Sequence, residues 1–568
     1  MKNILLAIVC ICSSMITRSQ SWNWAIGSAG SNNTVEATLV AVDPSGNIYS
    51  GGTFVCESGA VTFGPITLPE SNAYLRIFLV KADPTGNFQW VVTVDSSSGR
   101  LTAITTDSIG NLYVLGIYDS AICVIGSHTL HNPSVYPMNF LAKYSPAGNA
   151  LWAENIAAGI DPSGGVSYPS GGVATDMWGN VYVTTTFRTD TAIVGSFALI
   201  NKGPTTGTAD IILAKYNTDG NNIWAKNFGG QSDDYSAVLS VAKGGDLYLS
   251  GQYTSATMNV GSDTLTDSFF AAGAPYPYQY SFLARFDSSG APRWAFDMRK
   301  HVSVFGITTD ARENLIAVGL ADSNFIIGSD TMNAIGPKNA LLIKYDSSGE
   351  MLWANSASPG TAACVSADTC GNVWIAGMCY PWGAMLFDGH SVFEPSILTD
   401  PMFIAEYDAC GKYVDGSASI YISGGDDLMG MQLDGKGNLI IAGDYEETPI
   451  YFGADTLALD TMVGEALFIA KYTYAPLTVP CMLCTPPEQI VASPKTETIT
   501  VFPNPVSEQL TIEASIIIRQ IAITNLFGQT VYSRQHNSDR VAIDVADLPT
   551  GIYFVKVNGS YVQNFVKQ

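Results

Sequence analysis

Two hairpin phrases alternate along this chain, each in seven copies, and no other feature narrows the possible folds as far. The first runs AVDPSGNIYSGG (41–52), TTDSIGNLYVLG (105–116), ATDMWGNVYVTT (174–185), VAKGGDLYLSG (241–251), TTDARENLIAVG (308–319), SADTCGNVWIAG (366–377) and QLDGKGNLIIAG (432–443). The second runs IFLVKADPTGNFQW (77–90), FLAKYSPAGNALWA (140–153), IILAKYNTDGNNIWA (211–225), FLARFDSSGAPRWA (282–295), KYDSSGEMLWA (344–354), FIAEYDACGKYV (403–414) and FIAKYTYAP (468–476). Asp at the first turn position and Gly at the fourth suit a type I turn whose Gly takes the left-handed conformation that closes a bulged hairpin. The flanking strands are apolar on consecutive positions, as in YVLG, WIAG and FLAK, so both of their faces are covered. Two hairpins per unit make a four-stranded antiparallel sheet, and units of roughly 60–70 residues stacked face to face about an axis make a propeller. The expected fold is all-β, a seven-bladed β-propeller followed by a small C-terminal β-sandwich.

Labelling the strands of a unit A to D from the axis outward, the first phrase supplies A and B and the second C and D. Strand A is rich in small residues (LVAVD, GGVATD, GITTD), which suits crowding at an axis, and strand D carries the Trp. The seventh unit ends at TYAPL with neither a Gly turn nor a Trp strand. SWNWA (21–25) is a D-type strand with no hairpin before it. Trp22 and Trp24 are therefore expected to bring the missing outer strand to the seventh unit, closing the ring and removing an edge that invites aggregation.

Between B and C a shorter phrase recurs as VIGSHTL (124–130), NVGSDTL (259–265), IIGSDTM (326–332) and YFGADTL (451–457), with looser versions around Gly64, Gly195 and Gly389. It reads either as a binding loop using Asp263, Asp330 and Asp455 or, preferably, as a structural hairpin that repeats because the unit repeats. The strand C cations Lys81, Lys143, Lys215, Arg285, Lys344 and Lys471, replaced by Glu406 in the sixth unit, read as stems snorkelling over a sheet face. Over residues 20–475 the units resemble the secreted bacterial β-propeller repeat proteins, whose repeats read D-x-x-G-N-x-Y-x-x-G and then F-hydrophobic-A-K-Y-D-x-x-G-x-x-x-W. That resemblance implies the fold and little about function.

After the repeats comes TVPCMLCTPPEQIVASPKTE, a Pro-rich linker assigned to 476–495. Its Cys481 and Cys484 form a C-x-x-C without a thioredoxin-like unit or a second ligand pair, which favours a structural disulfide over redox or zinc chemistry. From 496 to 568, short alternating strands separated by Pro, Asn and Gly read as a β-sandwich. Here Pro503-Asn504-Pro505, Asn525-Leu526-Phe527-Gly528-Gln529-x-Val531, Leu548-Pro549-x-Gly551-Ile552-Tyr553 and the closing Lys567 resemble the type A C-terminal sorting domain of the type IX secretion system. The resemblance implies Sec passage to the periplasm, transfer across the outer membrane by the type IX machinery as partner, and release or attachment at the cell surface. It assigns the sorting signal to Pro503, Asn504, Pro505, Gly528, Gly551, Tyr553 and Lys567.

The start MKNILLAIVCICSSMITRS has Lys2, an apolar run from Ile4 to Cys12, and small residues Thr17 and Ser19 before Gln20. This is a secretory signal over 1–19, with cleavage between Ser19 and Gln20. The run is about half the ~20 residues a membrane anchor needs, no later segment is a spanning candidate, and neither Cys10 nor Cys12 follows the small residues of a lipoprotein signal. Eight cysteines remain in an oxidising compartment, where disulfides are the default. Cys370 and Cys410 stand in the two turns of the sixth unit, close enough for a bridge.

Acids outnumber bases 50 to 27, and loss of Lys2 and Arg18 takes the net charge from −23 to −25. Such a polyanion repels phosphate backbones and anionic lipid, which excludes nucleic acid as a partner. The tail from Thr496 is near neutral, with 5 bases and 6 acids. The 5 histidines (His128, His131, His301, His390, His536) show no metal-ligand spacing. There is no G-x-S-x-G, phosphate loop or Ca²⁺ loop, so no metal, cofactor or catalytic residue is assigned. The A–B and C–D turns share one tight face, and the longer B–C and D–A connections share the other, where binding is usually built. On that face Asp233, Asp234, Arg299, His301, Asp426 and Asp427 are the candidate ligand residues, with solvated loop residues as the simpler reading. The expected function is an exported, monomeric binding or adhesion scaffold for an unidentified glycan or protein. Two alternatives stay open: a polysaccharide-active enzyme, glycosidase or lyase, needing two carboxyls about 5–10 Å apart on that face, and a surface structural protein without a ligand.

Overall fold

In the turn DPSGN the Gly46 amide donates to the Asp43 carbonyl at 2.8 Å and the Asp43 amide to the Asn47 carbonyl at 2.9 Å, with Gly46 at φ 89°. One oxygen of the Asp43 carboxylate accepts the amides of Ser45 and Asn47, and the other accepts the Asn47 side chain and the Tyr49 hydroxyl. A single Asp thus satisfies the turn's orphan donors, which is why D-x-x-G-N recurs. The same pair of backbone bonds closes the turns at Asp107, Asp176 and Asp368. In TTDARENL, Glu313 takes the glycine's place at φ 66°.

These turns belong to a computed structural model describing residues 21–568 apart from 30–32, 57–59, 69–75, 97, 135, 159–170, 204–206, 267–279, 299–301, 323–324, 328–329, 333–337, 381–384, 394–400, 421–427, 447–448, 459–464, 475–498, 526–528 and 559–560. The signal segment and its cleavage site at Ser19 and Gln20 lie outside the described residues. So do Gly528, Arg299, His301, Asp426, Asp427, Cys481 and Cys484. Described residues are all-β, without a helix, and the chain divides into two units at Leu483 and Cys484.

The first unit is propeller-like. Asn33–Val42, Ile48–Cys56, Arg76–Ala82 and Phe88–Val94 pair antiparallel in that order as strands A to D. The pattern repeats from Gly99–Thr106, Gly171–Thr175, Asp234–Val241, Val302–Thr309 and Gly360–Ala367, each the A strand of its sheet. In the last set, Leu428–Leu433, Asn438–Glu446 and Glu465–Thr473 are followed by Ser21–Ala29, which pairs antiparallel with Glu465–Thr473 and sets Trp22 opposite Tyr472 and Trp24 opposite Lys471. The A strands touch one another in chain order, Leu428–Leu433 also touches Asn33–Val42, and a stretch of each lines a cavity of about 450 Å³.

The phrase's final Gly has a steric cause. In the A–B pairs a bulge in strand A sits opposite this Gly, as between Leu101 and Ala103 opposite Gly116 and between Ala362 and Cys364 opposite Gly377. A Cβ on Gly377 would lie 1.9 Å from the Thr361 carbonyl oxygen, and one on Gly319 would lie 1.8 Å from that of Ser303. The cores lie between sheets: Tyr49, Ile77 and Leu79 of one set pack with Val114, Phe140 and Ala142 of the next. Ile440 and Leu467 of the last set pack with Ile48 and Phe78 of the first. Consecutive apolar positions are covered on both faces for this reason.

In the C-terminal unit, where two sheets are expected, the described strands share one hydrogen-bonded sheet. The long strand Gln509–Asn525 pairs with Ile499–Phe502 through its first half and with Gly551–Val557 through its second, across a register shift after Glu513. One long strand thereby serves two partners. Tyr561–Lys567 completes the order beside Gly551–Val557, around a core that includes Leu510, Ile523, Val555 and Phe565.

Candidate functional site

On the tight-turn face the polar groups are spent on each other. Lys81 Nζ and Trp90 Nε1 of the first set both donate to the Pro146 carbonyl in the C–D turn of the second, at 2.9 and 3.1 Å. Lys143 and Trp152 do the same to Thr218 at 3.0 and 3.1 Å, and Arg285 and Trp294 to Ser347. Each Trp ring also lies over the glycine of that neighbouring turn: Trp90 on Gly148, Trp152 on Gly220, Trp353 on Gly411 and Trp24 on Gly86. The cations lean on tyrosine rings, Lys143 over Tyr113 at 5.0 Å and Lys215 over Tyr182 at 4.7 Å. They also pair with the turn Asp of their own set, Lys344 with Asp310 at 2.8 Å and Lys471 with Asp434 at 3.7 Å. Lys81, Lys143 and Lys344 are buried. The snorkelling reading is therefore corrected for Lys81, Lys143 and Lys344, which are buried staples between sheets because the neighbouring turn presents an open carbonyl where solvent was expected, while Lys215, Arg285 and Lys471 are half-buried.

The staple is missing at one junction. The sixth set carries Glu406 for the cation and Asp415, its partner across the strands, for the Trp, and ionised carboxylates have no proton to donate to a neighbouring carbonyl. Trp374 packs against Tyr474 there instead, the rings tilted by 39° with centroids 4.3 Å apart.

The B–C hairpins prove to be clasps. Asp263 accepts the Ala295 amide at 2.8 Å and Asp455 that of Ala25 at 3.1 Å, so each carboxylate caps its own outer strand. The B–C hairpins of the sixth and first sets reach the preceding sheet, pairing Phe387 with Ala357 and Phe63 with Ser28. This supports the structural-hairpin reading for Asp263 and Asp455; the Asp330 side chain lies outside the described residues.

On the long-loop face, Asp233 and Asp234 are held by the protein. Asp233 pairs with Arg188 at 3.0 Å and accepts the Tyr235 hydroxyl and the Ala209 amide. Asp234, fully buried, accepts from Gly230, Thr254 and Ser255. Burial pushes the Asp234 carboxyl up to about 6 despite these donors. Sequence reasoning missed Asp210, also fully buried. It accepts from Lys202 and Asn227 through one oxygen, its other oxygen has no partner, and burial pushes it up to about 6.

The disulfide default fails for three cysteines. Cys123, Cys364 and Cys379 are not disulfide-bonded and lie buried in separate cores, and burial pushes Cys123 and Cys364 up to about 12. Cys370 and Cys410 sit in touching turns: a Cβ on Gly371 would lie 3.4 Å from the Ala409 methyl. Among described residues no cluster of three His, Cys, Asp or Glu is placed to hold a metal, and no helix is long and apolar enough to cross a membrane.

In the tail, Asn504 accepts the Val566 amide at 2.9 Å and donates to the Asn564 carbonyl at 3.2 Å, between the cis peptides that precede Pro503 and Pro505. Gly551 opens its strand opposite Lys567, whose side chain is buried. Tyr553 donates to the Pro549 carbonyl at 2.8 Å and stacks on Phe565. The Pro-Asn-Pro, Gly-Ile-Tyr and terminal Lys segments thus meet along the last strand.

Fold and tail together define a class: an all-β, propeller-like repeat unit joined to a small β export domain. Residues 500–568 match the family model of the secretion system C-terminal sorting domain, so the chain carries a type IX sorting domain and is exported to the cell surface or released. Over 479 residues it is 23% identical to the uncharacterized WD repeat-containing protein L264 of Acanthamoeba polyphaga mimivirus, covering 70% of this chain and 33% of that protein. The chain thus spans about a third of the length of the curated relative it matches. Similar solved structures include PorZ, an essential surface component of the type IX secretion system of Porphyromonas gingivalis (12% identity, 94% of this chain and 81% of that one, TM-score 0.27). Others are virginiamycin B lyase from Staphylococcus aureus (10%, 79% and 99%, 0.38) and polysaccharide lyase Uly1 (10%, 80% and 99%, 0.41).

Proposed function

We propose that the chain is an exported, closed seven-bladed β-propeller acting as a monomeric binding or adhesion scaffold, with its ligand site on the long-loop face. Closure is supported by the pairing of Ser21–Ala29 with Glu465–Thr473, by the seat of Trp24 on Gly86, and by the A strands touching in sequence back to the first. The domain reading is a signal peptide over 1–19, propeller over 20–475, linker over 476–495 and sorting domain over 496–568; the division at Leu483 falls within that linker.

One contrast carries the binding reading. The tight-turn face repeats one construction and uses up its polar groups, whereas the D–A connections range from Pro359 alone, between Met351–Ser358 and Gly360–Ala367, to residues 159–170 between Ala150–Ala158 and Gly171–Thr175. Variable loops on a rigid scaffold are where recognition is built. The enzymatic reading needs two carboxyls about 5–10 Å apart on that face, where Asp233 pairs with Arg188 and Asp234 accepts from Ser255. The test is a glycan and surface-protein screen on the secreted protein, repeated after residues 159–170 are replaced by a short Gly-Ser link. Binding that the replacement abolishes supports the reading. Silence across the screen favours a purely structural protein, and depolymerisation of a polysaccharide favours the enzyme.

A Cys370–Cys410 bridge belongs to this reading, supported by the touching turns. Peptide mapping that recovers both as free thiols removes it.

A further inference from the structure

Arg100 stands at the start of an A strand, just after the connection that enters from the long-loop face, and its Nε is buried without a partner. It makes no hydrogen bond or ion pair with any described residue. Residues at the same register, one step before the bulge, are engaged in three other sheets. Glu36 accepts from Thr53 at 3.3 Å, Tyr235 binds Asp233 and Arg188, and Thr361 bonds Tyr380 at 2.8 Å. In a chain with 50 acids against 27 bases, a half-buried guanidinium without a carboxylate is anomalous. Desolvating a charge is costly unless an opposite charge meets it, and burial already lowers the Arg100 pKa. The guanidinium adjoins a recess of about 50 Å³ lined also by Ser98, Tyr118, Asp119 and Pro137. That volume admits a carboxylate or sulfate group but not a sugar ring. Asp119 is exposed at its edge and forms no ion pair with Arg100.

We propose that Arg100 and this recess form an oxyanion subsite on the long-loop face that takes the carboxylate or sulfate of an acidic saccharide. The subsite rests on the binding reading above for the saccharide, but not for the anion. A planar guanidinium suits either group through paired N–H donors.

The experiment uses the full secreted protein, its Arg100→Gln, Arg100→Met and Asp119→Asn variants, and four probes: sodium sulfate, oligogalacturonate, a sulfated oligosaccharide and a neutral cello-oligosaccharide. Calorimetry is expected to show acidic oligosaccharide binding that weakens with salt and falls at least ten-fold in Arg100→Gln. Asp119→Asn should strengthen it. Without ligand, Arg100→Met should melt higher than the parent, since an uncompensated charge is gone. Sulfate alone should raise the melting temperature of the parent and not of Arg100→Gln; with no saccharide bound, that result keeps the anion site and rejects the saccharide. Saccharide binding unchanged in Arg100→Gln leaves the binding reading standing and overturns the subsite. A lower melting temperature in both Arg100→Met and Asp119→Asn, with non-additive losses in the double variant, shows Asp119 to be the counter-ion and also overturns it.

Discussion

Lys344 and Asp310 meet at 2.8 Å with side chains only 4% and 2% exposed. Burial by itself raises the Asp310 carboxyl, but the donated proton and charge of Lys344 and the donors of Asn314 outweigh it and hold the group below the usual carboxylate range. A depressed carboxylate stabilises the fold above its unfolded pKa, and that contribution is lost as pH falls through the folded value. Lys344→Ala leaves Asp310 buried and unpaired, so urea unfolding should show a loss of about 3–5 kcal/mol. Asp210 has the opposite sign. Its folded pKa of about 6 lies above the unfolded value, so its burial costs stability at neutral pH, and the cost fades as pH falls from about 6 toward 4. Melting temperature should therefore rise between pH 7.5 and 5 in the parent, and Asp210→Asn should melt higher at pH 7.5 and show a flatter profile. The sequence singled out Asp233 and Asp234 as candidate ligand residues, not as the ion-paired and the buried carboxylate they are. Asp210, embedded in the ordinary strand phrase DIILAKY, gave no signal at all.

At the scale of elements, the hairpin phrases were fully legible. Asp, Gly and Asn within five residues determine turn, bulge and pairing without help from the rest of the chain. The glycine closing strand B is equally local in position, yet its cause, the carbonyl pushed toward it by the bulge in strand A, lies across the sheet. Gly377→Ala forces a methyl against the Thr361 carbonyl, and because both are backbone the relaxation is expensive. A loss of about 3 kcal/mol or more is expected by denaturant titration. The B–C hairpins were legible as hairpins and not as clasps, since their partners are an outer strand of their own sheet and one of the preceding sheet, contacts no local pattern encodes.

For the whole molecule, Ser21–Ala29 supplies the outer strand beside Glu465–Thr473 from the far end of the chain. Removing residues 21–29 bares that strand's edge, and the protein should aggregate on size-exclusion chromatography where the parent elutes as a single species. Deleting residues 500–568 should leave the product in the periplasm, as fractionation and immunoblotting will show; unaltered secretion of the deletion would contradict the sorting role. The junction between the sixth and seventh sheets lacks the Lys and Trp staple. Hydrogen exchange there should be faster than at the stapled junctions.

The sequence by itself determined what is local or periodic: the hairpins, the apolar runs that demand cover on both faces, the orphan Trp strand, and an export tail written in short motifs. Only the tertiary structure decided which groups each side chain meets. Lys143 reaches Thr218 and the Arg100 Nε finds no partner among the described residues because those outcomes depend on how whole sheets stack, and residues some 75 positions apart become neighbours only after stacking.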